Sequence, residues 1–287
     1  MVDSTETSGN ILKGGVLFLH NFGTDNTFLG SNAGNLTMTG LGRNTASGYT
    51  ALQSNTTGHD NTASGAFALQ SNTAGNQNTA SGAFALVRNT AGFNNTAIGY
   101  TALDNNTTGR DNTAIGWGAD VSVGNLNNAT AIGSGAVVNA SNKVRVGNTS
   151  VTVIQGQVGF TSSSDRNKKE NLRPVAGEEV LGKIRGLSLA SWNFIGHDPK
   201  QFRHYGPMAQ DFFAAFGHDG VGTIGTDTTI TSTDMDGILM IAAQALEKRT
   251  LKQEKEMNAL RAENADLKAR LAALERRVDN SALAKAE

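Results

Sequence analysis

NTASGAFALQSNTAGNQ (61–77) runs straight into NTASGAFALVRNTAGFN (78–94), and this pair decides how the first half of the chain is read. The same unit stands before it as NTASGYTALQSNTTGHD (44–60). It continues after it as NTAIGYTALDNNTTGRD (95–111) and NTAIGWGADVSVGNLNN (112–128). Gly48, Gly65, Gly82, Gly99, Gly116 and Gly133 mark a constant step of 17 residues, and an earlier copy, NTFLGSNAG from Asn26, carries Gly30 one residue out of register. A fixed period of this length signals a stacked repeat. Each unit is too short and too rich in glycine for a helix pair, so it predicts two brief strands and two turns. Asn-Thr-Thr-Gly and Asn-Thr-Ala-Gly supply the turns, because Asn and Gly tolerate positive φ. The inward side chains are expected to be mostly Ala, with occasional Ile, Leu and Phe. One coil cannot bury its own apolar face, whereas stacked coils can, with backbone groups paired from rung to rung. Six rungs about 4.8 Å apart make a column roughly 29 Å long. So narrow a core buries little area per residue, so a lone column is expected to be marginal and several columns around an axis are the natural remedy.

Phe67, Phe84, Phe93, Tyr100 and Trp117 allow two readings. They are an aromatic strip suited to sugar stacking, or Phe67 and Phe84 are core residues at equivalent repeat positions. A repeat shows shape and not ligand, so a spacer and a receptor-binding head remain open at this point.

The rest of the chain is different in kind. Residues 1–160 hold 7 of the 25 acidic and 6 of the 24 basic side chains, and no glutamate occurs between Glu6 and Glu170. The formal net charge of −1 argues against nucleic acid or an anionic membrane as partner. No hydrophobic run is long enough to cross a bilayer, so no membrane insertion is expected. There is no cysteine, and the polar opening MVDSTETSGN lacks a basic stretch followed by an apolar one. The chain is therefore expected to be made in a reducing cytoplasm without a signal peptide. No Cys, His or acid cluster has metal-ligand spacing, and neither metal nor cofactor is expected.

After Gly133 the period breaks, and KVRVGNTSVTVIQGQVGF (143–160) alternates as strands do. TSSSDRNKKENLRPV (161–175) follows, and a polar helix start capped by Asp165 would account for it on composition alone. Further on, Asp234–Val278 predicts one long helix. From Met257 its apolar residues fall at alternating steps of three and four: Met257, Leu260, Asn264, Leu267, Leu271, Leu274 and Val278. That is one a/d seam, flanked by Lys, Arg and Glu. Asn264 at an a position fixes register and, by itself, favours a dimer. No basic region precedes the seam, so a DNA-binding zipper is not expected.

Two resemblances add to this reading. The repeats resemble the β-roll heads of trimeric adhesins and the shafts of tail fibres. Ser164-Asp165-Arg166-Asn167-Lys168-Lys169 with Asn171-Leu172, the segment His204-Tyr205-Gly206-Pro207-Met208-Ala209-Gln210-Asp211, and the C-terminal helix together resemble the intramolecular chaperone domain of endosialidase tailspikes and phage fibres. Arg166 stands two residues after the serine, where many members place arginine three after. The resemblance implies a homotrimer. It also implies a self-cleaving serine peptidase acting once on its own chain, with Ser164 and Lys169 as a dyad and the cut between Ser163 and Ser164. Asp165, His204 and Gln210 are placed as supporting residues, with a satisfied core histidine as the plainer reading of His204.

The chemistry sets a condition of its own. A serine hydroxyl needs a base, and a lysine amine serves only when neutral. Five residues apart, the two side chains diverge by roughly 140° on a helix and lie roughly 16 Å apart on a strand. A turn must join them, or the lysine must come from a neighbouring chain. Lys168 would be the better partner on a plain helix and is kept as the minor alternative.

The expected architecture is a mainly β N-terminal repeat stack, a trimeric β-roll or β-prism of 17-residue repeats, followed by an α+β chaperone domain ending in a coiled-coil helix. Its divisions are a lead-in (1–25), the repeat domain (26–137), a β junction (138–160), the chaperone or peptidase domain (161–243), the coiled coil (244–279) and a tail (280–287). The implied partners are the chain itself, a baseplate or fibre-attachment protein, and a host-surface glycan or protein receptor. The implied location is a virion tail, a phage-like injection machine or the extracellular space. An alternative keeps the chaperone-like domain uncleaved as a trimeric fibre tip or adhesin cap. A glycan-cleaving spike is disfavoured, since it needs paired carboxylates and the repeats offer only Asp60, Asp104, Asp111 and Asp120.

Overall fold

A computed structural model describes residues 9–155, 157 and 163–283, with side chains up to 277. It divides into two compact units, Met1–Ile154 and Gln155–Glu287.

The first unit is a β-solenoid. It opens with β1 (Ile11–Lys13) and β2 (Val16–His20), an antiparallel pair, and β2 pairs antiparallel with β3 (Thr27–Leu29). From β3 onward every rung is parallel and in register: β4 (Thr45–Ser47), β5 (Thr62–Ser64), β6 (Thr79–Ser81), β7 (Thr96–Ile98) and β8 (Thr113–Ile115). A short β9 (Asp120–Val121) precedes β10 (Thr130–Ile132), which pairs with β8. β11 (Val137–Val138) pairs with β9, and β12 (Val144–Val146) closes the stack on β10. The last step, from Thr130 to Val144, is 14 residues, which is where the period breaks in the sequence.

Each of these rungs from β4 to β8, and β10, points its middle residue inward: Ala46, Ala63, Ala80, Ala97, Ala114 and Ala131 are buried. A second column, Leu52, Leu69, Leu86 and Leu103, is fully buried against them. The expected inward Ile residues are outside instead. Ile98, Ile115 and Ile132 take the outward third position of their strands, because strand side chains alternate and alanine already holds the inward site.

A second strand per coil forms only at β9 and β11. In the coils before them the Ala-Leu segment is a series of turns in which Phe67 (φ 63°) and Leu69 (φ 51°), like Phe84 and Leu86, adopt left-handed backbone. Such φ values are uncommon for these residues and persist where the surroundings over-determine them. Here Leu69 N–H donates to Ala85 O of the next rung at 3.0 Å, and Phe67 N–H to Tyr49 O of the previous one at 2.8 Å.

The asparagines do more than turn the chain. Asn44, Asn61, Asn78, Asn95 and Asn112 are buried in a ladder. Asn61 Oδ1 accepts both the backbone N–H (3.1 Å) and Nδ2 (3.1 Å) of Asn78, whose Nδ2 also donates to Gly92 O (2.9 Å). A second ladder joins Asn55, Asn72, Asn89 and Asn106 at 2.8 Å per step. Each buried amide is thus partnered along the column, which removes the penalty for burying it. Gly82 (φ 141°) shows why the repeat glycine is needed, since a Cβ there would run into the Gly99 carbonyl of the next rung.

The second unit is small. A 3₁₀ turn (Arg166–Lys168) leads to α1 (Gly177–Gly186). β13 (Leu189–Trp192) and β14 (His204–Pro207) form an antiparallel hairpin, then come α2 (Ala209–Phe216) and α3 (Ser232–Leu283). Val180 of α1, Phe212 and Phe216 of α2, and Ala242 of α3 make the buried core, with Ile184, Ile238 and Ile241 packed around it. Arg249 of α3 pairs with Glu178 of α1 at the surface.

Candidate functional site

The stretch Ser164–Lys169 folds into the turn that the proposed pairing requires. Asp165 is its N-cap: Oδ1 accepts from Asn167 N–H at 2.9 Å. Lys168 N–H donates to Asp165 O at 3.1 Å and Lys169 N–H to Arg166 O at 3.2 Å. A tight turn of three residues per revolution reverses the chain enough for the ends to meet. Lys169 Nζ lies 2.6 Å from Ser164 Oγ and donates to it. The contact is made within one chain, and by Lys169; Lys168 makes no side-chain bond to Ser164.

Ser163, Ser164 and Lys169 are all exposed. To act as a base the Lys169 amine must be neutral and accept the hydroxyl proton at the same distance, a state that burial favours for lysine. Residues 158–162, just before the proposed cut, lie outside the described residues.

Among the described residues no hydrogen bond joins His204 or Gln210 to Ser164 or Lys169. His204 is exposed on β14, not a core histidine. Its ring stacks on Trp192 with centroids 4.6 Å apart and meets Phe194 edge-on at 5.6 Å. The same cluster takes in His197 and Phe202. Trp192 Nε1 and His197 Nδ1 are buried there without a hydrogen-bond partner. The spacing Trp192-x-Phe194-x-x-His197 was the available sequence signal for this cluster. Gln210 sits exposed in the first turn of α2.

Residues 164–220 match the family model of the chaperone of endosialidase. The match opens at Ser164, carries Lys169, and takes in the His204–Asp211 segment. No curated protein and no solved structure matches the chain. The matched region therefore follows a β-solenoid and overlaps neither it nor the long helix that comes after.

In that helix the heptad residues Met257, Leu260, Leu267, Leu271 and Leu274 are each about half exposed. Asn264 Nδ2 donates to Leu260 O of its own helix at 2.8 Å. The side chain of Val278 lies outside the described residues. The same three–four spacing extends backward to Leu246 and Leu239, also exposed, while Ile238, Ile241, Ala242 and Ala245 on the adjacent face turn to the core. Among the described residues no group of three His, Cys, Asp or Glu side chains is placed to hold a metal. No described helix is long and apolar enough to cross a membrane.

Proposed function

We propose that this chain is a homotrimeric tail-fibre or spike protein whose C-terminal unit gathers three copies, guides the β-stack into register, and is then cut away between Ser163 and Ser164. The observation that carries the reading is the 2.6 Å contact between Lys169 Nζ and Ser164 Oγ at the first residues of the matched region. In the cut, Ser164 Oγ attacks the Ser163 carbonyl carbon and gives its proton to a neutral Lys169. The Ser163–Ser164 peptide bond breaks as the lysine passes that proton to the leaving amine. The resulting ester is hydrolysed by water, which leaves a Ser163 carboxylate and a free Ser164 hydroxyl.

Exposure of the pair supplies the control. An exposed ammonium does not act as a base, so the amine becomes competent only when neighbouring copies exclude water from it. Cutting then waits for assembly. Loss of the assembling unit would make the mature fibre hard to form again once unfolded, so its persistence would be kinetic. The solenoid would serve as shaft or receptor-binding head, attached to a baseplate or fibre-attachment protein.

Intact-mass measurement and denaturing electrophoresis test this. Wild type is expected as two fragments with a new end at Ser164, and Ser164→Ala and Lys169→Ala as a single full-length chain. A wild-type chain that stays whole under assembly conditions overturns the cleavage step and leaves the C-terminal unit as a retained cap.

A further inference from the structure

One side of the solenoid is apolar, uncharged and open. Tyr49, Phe67, Phe84 and Tyr100 form a ladder of rings with centroids 5.2, 4.7 and 5.8 Å apart. Trp117, 63% exposed, continues the series one repeat on. Across the glycine column from these rings lie the outward strand residues, Ser47, Ser64 and Ser81 and then Ile98, Ile115 and Ile132. From Thr45 to Leu52, and at each equivalent stretch through Ala119, no side chain is charged. The charges sit elsewhere in the coil, as with Arg43, which pairs with Asp60 of the next rung at 2.6 Å.

We infer that this stripe is the surface on which the solenoids of neighbouring copies pack. The inference rests on the homotrimer reading and adds where the β units meet.

Three observations choose a second copy over a glycan. The Phe67 and Phe84 rings lie nearly parallel, 13° apart, so each covers a face that a sugar ring would need. A stripe that meets identical stripes must avoid charge, since equal charges would oppose one another, and this one does. Depletion of charge with aromatic enrichment is also what the core of a protein interface shows.

Size argues that the stripe does not act alone. Six rungs about 4.8 Å apart by a width of about 12 Å give roughly 350 Å² per face, against about 800 Å² per partner in a stable complex. The exposed seam on α3 supplies a second contact of the same occupant. The change from Ser to Ile along the outward positions also gives the stripe a direction. Its apolar rungs are those closest in sequence to the C-terminal unit, so packing starts there and proceeds toward β4.

The chain has no cysteine, so single replacements report contacts cleanly. Ile115→Cys, Leu267→Cys and Ala91→Cys, each placed in the Ser164→Ala chain so that it stays full length, are treated with a short bis-maleimide; Ala91 is exposed in the Asn-Thr-Ala-Gly turn, outside the stripe. Cross-linked chain at Ile115→Cys and Leu267→Cys, each about tenfold above Ala91→Cys, is the expected result, as equivalent residues of a homotrimer converge on the threefold axis that the stripe and the seam would face. Cross-linking at Leu267→Cys alone overturns the stripe and leaves it free for another ligand, while the homotrimer stands. Cross-linking at neither overturns both, and equal cross-linking at all three marks aggregation and overturns the stripe. Circular dichroism of each variant, matched to wild type, confirms that the fold is kept.

Discussion

The solenoid buries a continuous column of alanines and leucines behind a coil of 17 residues, whereas the C-terminal unit buries little beyond Val180, Phe212, Phe216, Ala242 and Ala245. The first is closed by its own repetition: each rung satisfies the last through backbone bonds and two asparagine ladders. The second leaves Leu239, Leu246, Met257, Leu260, Leu267 and Leu271 open along one helix. Within one chain the solenoid holds its interior complete, and it is the helix that lacks a partner. What the solenoid lacks is cover for its outer stripe.

The sharpest way to break the comparison is at the glycine column. Gly82→Val places a β-branched side chain at φ 141° against the Gly99 backbone. It is expected to cost the solenoid more than about 4 kcal/mol. The β transition in thermal unfolding should disappear while helix content persists; a preserved β transition would contradict the stacking. Leu86→Ala is the next largest, at about 2–4 kcal/mol for a fully buried leucine. Its effect on the unfolding midpoint should not depend on protein concentration. Leu267→Ala should do the opposite, changing the midpoint only at concentrations where chains associate. Identical concentration dependence for both variants would erase the distinction between the units.

A smaller effect comes from Asp120. Burial pushes its carboxyl up to about 6, with nearby Asp104 adding to the shift, while the backbone N–H groups of Val121 and Asn105, and Arg88, oppose it. The folded chain thus holds this proton more tightly than the unfolded one, whose value is near 3.8. Between those values the folded state binds more protons, so stability falls as pH rises, by on the order of 1–3 kcal/mol in all. Asp120→Asn should raise the urea midpoint at pH 7 and leave it unchanged at pH 4; equal shifts at both would exclude the carboxyl as cause. The smallest is Arg249→Gln in the second unit. Its partner Glu178 is held below the usual carboxylate range by the guanidinium, yet the pair is exposed. The midpoint should stay within the scatter of other surface substitutions.

Much of this was legible beforehand. The 17-residue step announced a stack, because in-register coils demand equal lengths. The three–four spacing announced a helix with one seam. The separation of Ser164 and Lys169 left two ways to pair them, a turn or a lysine from a neighbouring chain, and the 3₁₀ turn at Arg166–Lys168 supplies the first. The asparagines read as turn formers in the sequence, since a side chain bonded to its copy 17 residues away leaves no local signature. His204 and Gln210, placed as supporting residues by motif order, make no hydrogen bond to Ser164 or Lys169 among the described residues, because motif order says nothing of distance across a fold.

The amino-acid order by itself determined period, rung register and helix seam, because each follows from spacing along one chain. Tertiary structure alone decided that isoleucine faces out while leucine faces in, that amides run buried through the column, and that Ser164 and Lys169 lie within a hydrogen bond of each other. Those outcomes depend on which groups from distant parts of the chain fill the same space, and spacing does not encode that.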